Sequence, residues 1–126
     1  MLASCDNRHE TNGNLSGMWQ MVEWYDQNSK SVIKTNEDKL YYCVQLELIK
    51  FMDAHNSTKY HLARFKHEKD SLIIGNIYYY PGDTLCSYSE LEKFGVPTDG
   101  RFHIDVLNGE HLRLSCPERT LTFRKY

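Results

Sequence analysis

The chain has 126 residues and a formal net charge of −2, enough for one domain with a single modest core. A near-neutral balance without a basic stripe argues against a nucleic-acid partner. No apolar run approaches the ~18 residues that a membrane-spanning helix requires.

Leu2-Ala3-Ser4-Cys5 resembles a bacterial lipobox, in which the cysteine after small residues becomes the lipid-bearing N-terminus. Only four residues precede Cys5, so the charged and apolar parts of such a leader are expected to have been trimmed away or lost to a misassigned start. Lipid on Cys5 would bury many CH2 groups at ~0.8 kcal/mol each and anchor the chain to a membrane. Residues 1–14 then form the lipobox remnant and a polar tether, and residues 15–126 an exported domain. The expected location is the envelope of a Gram-negative bacterium, on its periplasmic or surface face. Three further cysteines, Cys43, Cys86 and Cys116, form no CxxC pair. A zinc ribbon or thioredoxin-type motif is therefore not expected. At most one disulfide can form among them, and spacing does not choose the pair.

The remaining elements read mostly as strands, from alternating runs rich in Tyr and Phe. Gly17–Tyr25 is the first, and a short strand is expected near Ser31–Lys34. Lys39–Met52 reads as one long strand with Leu40, Tyr42, Val44, Leu46 and Leu48 on one face. Thr58–His67 and Ser71–Tyr80 form a hairpin around Glu68-Lys69-Asp70, and Pro81-Gly82-Asp83 is a strong turn. Ser89-x-x-Glu92 has capping-box spacing, with Gly95 where a helix would stop, so Ser89–Phe94 is expected to be one short helix. Arg101–Val106, Glu110–Cys116 and Arg119–Lys125 complete the chain.

The last three strands permit a test of register. A three-residue loop, Leu107-Asn108-Gly109, pairs Val106 with Glu110 and keeps the apolar residues together. Ile104 then meets Leu112, and Phe102 meets Leu114. The next turn aligns Leu114 with Leu121 and Leu112 with Phe123. The polar face would carry His103 opposite Arg113 and Asp105 opposite His111. Two ligands are too few for zinc, so Asp105 and His111 are expected to form a surface ion pair and no metal is assigned.

Antiparallel strands with one apolar face require either a sandwich or a closed barrel. Leu15-Ser16-Gly17-Met18-Trp19 resembles the Gly-x-Trp motif that opens the first strand of lipocalins. Leu121-Thr122-Phe123-Arg124-Lys125-Tyr126 is similar to the last strand of small bacterial lipocalin-like domains. The resemblance implies an all-β fold: an antiparallel meander closed into a small barrel of about eight strands, with one short helix. It also implies that Trp19 plugs one end under a basic residue of the last strand, with Arg124 the first choice and Lys125 the alternative.

An eight-stranded barrel holds one small ligand or is filled by its own side chains. Tyr42, Val44, Leu46, Leu48, Tyr60, Tyr79 and Phe102 are the expected lining, suited to a small hydrophobic or amphipathic ligand. The second expectation is a filled barrel that serves as an interaction or inhibitor module for an envelope protein. No hydrolase elbow, zinc-protease motif or phosphate loop occurs, so neither catalysis nor a cofactor is expected.

Overall fold

The computed structural model describes residues 12–56 and 58–126, and Cys5 lies outside them. Ten strands follow in order: β1 (Gly17–Asp26), β2 (Ser31–Lys34), β3 (Leu40–Gln45), β4 (Leu48–Asp53), β5 (Tyr60–Glu68), β6 (Ser71–Tyr80), β7 (Thr84–Cys86), β8 (Arg101–Leu107), β9 (His111–Cys116) and β10 (Arg119–Lys125). Eight of them close into an antiparallel barrel, in the order β1-β3-β4-β5-β6-β8-β9-β10 and back to β1. The two extra strands continue the barrel wall. β2 pairs with the far half of β1, and β7 with the far half of β6, beyond the points where β3 and β8 pair with them.

The β10–β1 pairing closes the sheet, and closure buries its alternating apolar face. Tyr42 and Val44 of β3, Ile49 and Phe51 of β4, Leu72, Ile74 and Ile77 of β6, Leu112 and Leu114 of β9, and Leu121 and Phe123 of β10 all point into one core. A fully buried side chain of this size contributes about 1.5–3 kcal/mol, and closure leaves the eight-stranded wall with no free edge.

The expected long strand Lys39–Met52 is instead a hairpin. β3 turns into β4 through Leu46-Glu47, with Gln45 paired to Leu48 and Val44 to Ile49. A two-residue turn reverses the parity of the alternation. Apolar residues occur at even positions before the turn and at both parities after it, so the pattern alone could not register the reversal. Packing decides for Ile49 and Phe51, both fully buried, while Leu46 and Leu48 are left 37% and 39% exposed. No Gly, Asn or Pro marks the turn, and Leu46 itself takes a left-handed φ of 55°.

The expected Ser89–Phe94 helix is a 3-10 segment, Tyr88–Phe94, with Ser87 at its N-cap and Gly95 at its C-cap. Gly95 has a left-handed φ of 78°, and its N–H donates to the Glu92 carbonyl. Leu91 and Phe94 are its buried residues.

The expected register between β8 and β9 is also corrected. Ile104 pairs with Leu114, not Leu112, and Leu107 pairs with Leu112. A bulge at Asp105 absorbs the difference and keeps Ile104 in the core. Asp105 therefore does not face His111, which pairs with Arg124. His103 Nδ1 donates to Asp105 Oδ1 at 2.6 Å, and Ser115 Oγ donates to the same oxygen at 2.9 Å. The alignment of β9 with β10 is as expected, Leu114 with Leu121 and Leu112 with Phe123.

Candidate functional site at the capped end of the barrel

One end is sealed by Trp19. It is fully buried, and its Nε1 donates to the Leu15 carbonyl at 2.8 Å. The basic residue over its ring is Lys125, with Nζ 4.5 Å from the ring centroid. This corrects the choice of Arg124. Trp19 pairs with Lys125, and paired residues share a face of the sheet. Arg124 points the other way, and its Nε donates to Gln20 Oε1 at 3.1 Å. Lys125 Nζ also donates to the Ser16 carbonyl at 2.6 Å. The glycine of Gly-x-Trp has a physical reason here: Gly17 has φ 128°, and a Cβ there would lie 2.8 Å from Lys125 Nζ. Packing at this end takes in Asn12, whose Nδ2 donates to the Leu46 carbonyl at 2.7 Å.

The Tyr88–Phe94 segment seals the opposite end. Leu91, Phe94 and Val96 insert into the barrel. Tyr42 reaches along the interior to meet them, its hydroxyl donating to the Phe94 carbonyl at 2.5 Å. Burial pushes the Tyr42 pKa well above its ordinary value, with the Arg119 charge opposing, so the phenol keeps its proton and donates. The rings of Phe51 and Phe123 pack on Tyr42 with centroids 4.8 and 4.7 Å away. Among the described residues the barrel axis is thus filled by side chains.

The expected lining divides accordingly. Tyr42, Val44 and Phe102 are inside and consumed by packing. Tyr79 is on the inner face near the capped end, its ring 5.1 Å from that of His61. Leu46 and Leu48 lie at an exposed turn, and Tyr60 is on the outer face. Tyr60 pairs with Met52, neighbour to the inward Phe51, so alternation turns it outward. Its ring stacks on Tyr80 at 5.3 Å and lies under Lys50.

Open space lies around the cap. A cleft of about 440 Å3 runs between β2 and the cap, floored by Trp24, Ile33 and Leu40 and rimmed by Asp38, His55 and Lys93. Thr35 forms part of its wall, and Thr35 Oγ1 is shielded from solvent with no hydrogen-bond partner among the described residues. The other side of Trp24 borders a groove of about 690 Å3 along Val96, Pro97 and Arg119. Arg119 stacks over the Trp24 ring at 5.2 Å. Lys93 holds the cap to β4 through Asp53 at 2.9 Å. Partial burial raises the Asp53 pKa, but the Lys93 hydrogen bond and charge, with the His55 N–H and charge, outweigh it and leave the carboxyl below its ordinary value.

The lipocalin-like domain family model matches residues 1–126. The chain belongs to the lipocalin-like domain family. A lipocalin-like protein from Bacteroides uniformis superposes with a TM-score of 0.67 at 19% identity, covering 90% of this chain and 100% of the other. An uncharacterized protein from Bacteroides eggerthii gives 0.60 at 23% identity, covering 88% and 98%. A protein from Burkholderia xenovorans gives 0.59 at 12% identity, covering 95% and 88%. No curated protein matches the sequence. At these identities the structural likeness concerns the fold of this lipocalin-like domain, and its site must be argued from its own residues.

Sequence reasoning missed the cleft because Trp24 has no local signal for it. The cleft exists only where the β1–β2 hairpin overhangs the cap. It also missed a cluster behind the cap. His61, Cys86 and Glu90 bring one metal-ligating atom each to within 4.8 Å of one another. Burial lowers the His61 pKa, with Glu90 opposing, and burial followed by Glu90 raises that of the Cys86 thiol. Cys43, Cys86 and Cys116 are all free thiols.

Proposed function

We propose that this lipocalin-like domain is a lipid-anchored envelope protein, held by Cys5, that binds a small amphipathic molecule on Trp24 rather than inside its barrel. The observation that carries the reading is the seal at both ends. Trp19 and the Leu91–Phe94 cap leave the axis to protein side chains, so among the described residues a ligand would have to be held outside the barrel, and the cleft floored by Trp24, Ile33 and Leu40 is an apolar space suited to it. Its size falls in the range of about 300–1,000 Å3 usual for small-molecule sites. Its composition also suits the role, since Trp24, Ile33 and Leu40 offer an apolar floor and Asp38, His55 and Lys93 a polar rim. We read the domain as a binder rather than an enzyme.

Native mass spectrometry of protein isolated from its own host tests the proposal. A retained small molecule is expected in the wild type and lost in Trp24→Ala. A molecule that survives Trp24→Ala, or a wild type that carries none, refutes the site. Cys5→Ser is expected to move the protein from the membrane to the soluble fraction, and unchanged partition would refute the anchor.

The second reading, a module for an envelope protein partner, has its own support. β2 is an exposed four-residue strand carrying Val32 and Ile33 on the surface. Its free edge is suited to strand addition. Retention of a protein in place of a small molecule, lost in Ile33→Lys, would favour it.

A further inference from the structure

His61, Cys86 and Glu90 take no part in the cleft on Trp24, and no spacing in the chain unites them. Tertiary pairing does. β6 lies between β5 and β7, with Tyr79 paired to His61 and Ile77 paired to Cys86. Tyr79 and Ile77 are two residues apart on β6, so His61 and Cys86 flank that strand on the same, inward face. Glu90 arrives over them from the Tyr88–Phe94 segment. The ligand atoms of all three lie within 4.8 Å of one another. His61 Nε2 is shielded from solvent and has no hydrogen-bond partner among the described residues. A buried imidazole nitrogen without a partner is an uncommon arrangement and calls for one.

We propose that His61, Cys86 and Glu90 bind a divalent transition metal, with Zn2+ the best match, and leave one coordination position open. The donor set is one imidazole nitrogen, one thiolate and one carboxylate oxygen. A thiolate selects against Mg2+ and Ca2+, and this mixture of donors suits Zn2+. Three protein ligands with a vacant fourth position is the arrangement of reactive rather than purely structural zinc sites. Bonds of about 2.0–2.3 Å in a tetrahedron place donors roughly 3.3–3.6 Å apart. The cluster must therefore contract by no more than about 1.5 Å from its widest separation. Glu90 is exposed, and the Cys86 thiol, which donates to the Thr84 carbonyl at 3.3 Å, would turn from it by rotation about a single bond. On binding, the Cys86 thiol releases its proton to solvent, and its sulfur, a His61 nitrogen and a Glu90 oxygen each donate an electron pair. The ion would tie β7 and the cap to β5. A cysteine-nucleophile reading of the same cluster is weaker, because His61 Nε2 makes no hydrogen bond with the Cys86 thiol.

The test uses the full chain, stripped with a chelator and kept reduced. Titration with Co2+ is expected to saturate at one equivalent, with thiolate-to-cobalt charge-transfer absorption that Zn2+ abolishes by displacement. Zn2+ affinity, measured against a chromogenic chelator, is expected to fall at least ~100-fold in Cys86→Ser and at least ~10-fold in Glu90→Gln and His61→Gln. Cys5→Ser, Cys43→Ser and Cys116→Ser are expected to bind as the wild type does. Glu90→Gln alters an exposed side chain, so its result does not depend on the core. The thermal midpoint should rise with Zn2+ in the wild type and not in Cys86→Ser. Absence of the charge-transfer band, its survival in Cys86→Ser, or affinity unchanged in Glu90→Gln and His61→Gln would each overturn the site.

Discussion

Tyr42→Phe removes a single oxygen from the middle of the barrel and tests whether the cap is held from inside. The wild-type hydroxyl donates to the Phe94 carbonyl at 2.5 Å, and both residues are buried. Phenylalanine keeps the ring and its packing on Phe51 and Phe123, so the transfer and cavity terms are small. What is lost is one buried hydrogen bond, and what remains is a carbonyl oxygen with no partner. Leaving such a group unsatisfied costs about 1–3 kcal/mol, and we expect about 2 kcal/mol here. For a domain of this size that corresponds to a fall of roughly 6–12 °C in Tm. Urea unfolding followed by circular dichroism should show a lower midpoint with an unchanged slope. Hydrogen exchange should place the loss in the cap, where the amides of Gly95 and Val96, bonded to the Glu92 and Leu91 carbonyls, exchange faster. Tyr60→Phe, on the outer face, should change stability by less than about 0.5 kcal/mol. A Tyr42→Phe loss no larger than that of Tyr60→Phe, with cap exchange unaltered, would refute the strut.

Further substitutions probe the other seal and the turns. Lys125→Ala removes the cation over Trp19 and the donor to the Ser16 carbonyl, and should cost about 1–2 kcal/mol in urea unfolding; Arg124→Ala removes only the donor to Gln20 Oε1, from an exposed side chain whose place water can take, and should cost about 1 kcal/mol or less, and the reverse ranking would contradict the assigned plug. Leu46→Gly relieves the left-handed backbone at the β3–β4 turn and should be neutral or stabilise by up to ~1 kcal/mol, checked by the thermal midpoint. Asp53→Asn removes the Lys93 ion pair, which is largely open to solvent, so the loss at pH 7 should stay below ~1 kcal/mol. The folded carboxyl lies below its ordinary pKa, so this stability is present above an unfolded value of about 3.9 and disappears as pH falls further; a gap between wild type and Asp53→Asn that persists at pH 2 would contradict the assignment.

Much of the wall was legible because its strands declare themselves locally. The β5–β6 hairpin, the turn at Pro81-Gly82-Asp83 and the pairing of β9 with β10 all follow from period-two alternation and turn chemistry. The stop at Gly95 follows from the same kind of signal. Errors arose where two local readings were equally good. Leu46 and Leu48 continue the alternation of β3 as well as Ile49 and Phe51 begin that of β4, and only the bulk required at the core separates them. Asn108-Gly109 permits several loop lengths, and the bulge at Asp105 becomes necessary only when Ile104 must meet Leu114.

The sequence by itself determined a single β domain, most of its strands, the apolar face they share and the need to cover that face, in a sandwich or in a barrel. Those properties depend on neighbours along the chain and on the burial of apolar area. Tertiary structure decided which basic residue covers Trp19, that the cap fills the barrel end, and that a cleft opens on Trp24 between β2 and the cap. It alone assembled His61, Cys86 and Glu90 from three separate elements. The reason is physical: which side chain meets which across a closed sheet depends on register summed around the barrel, and each turn or bulge shifts that register by whole residues.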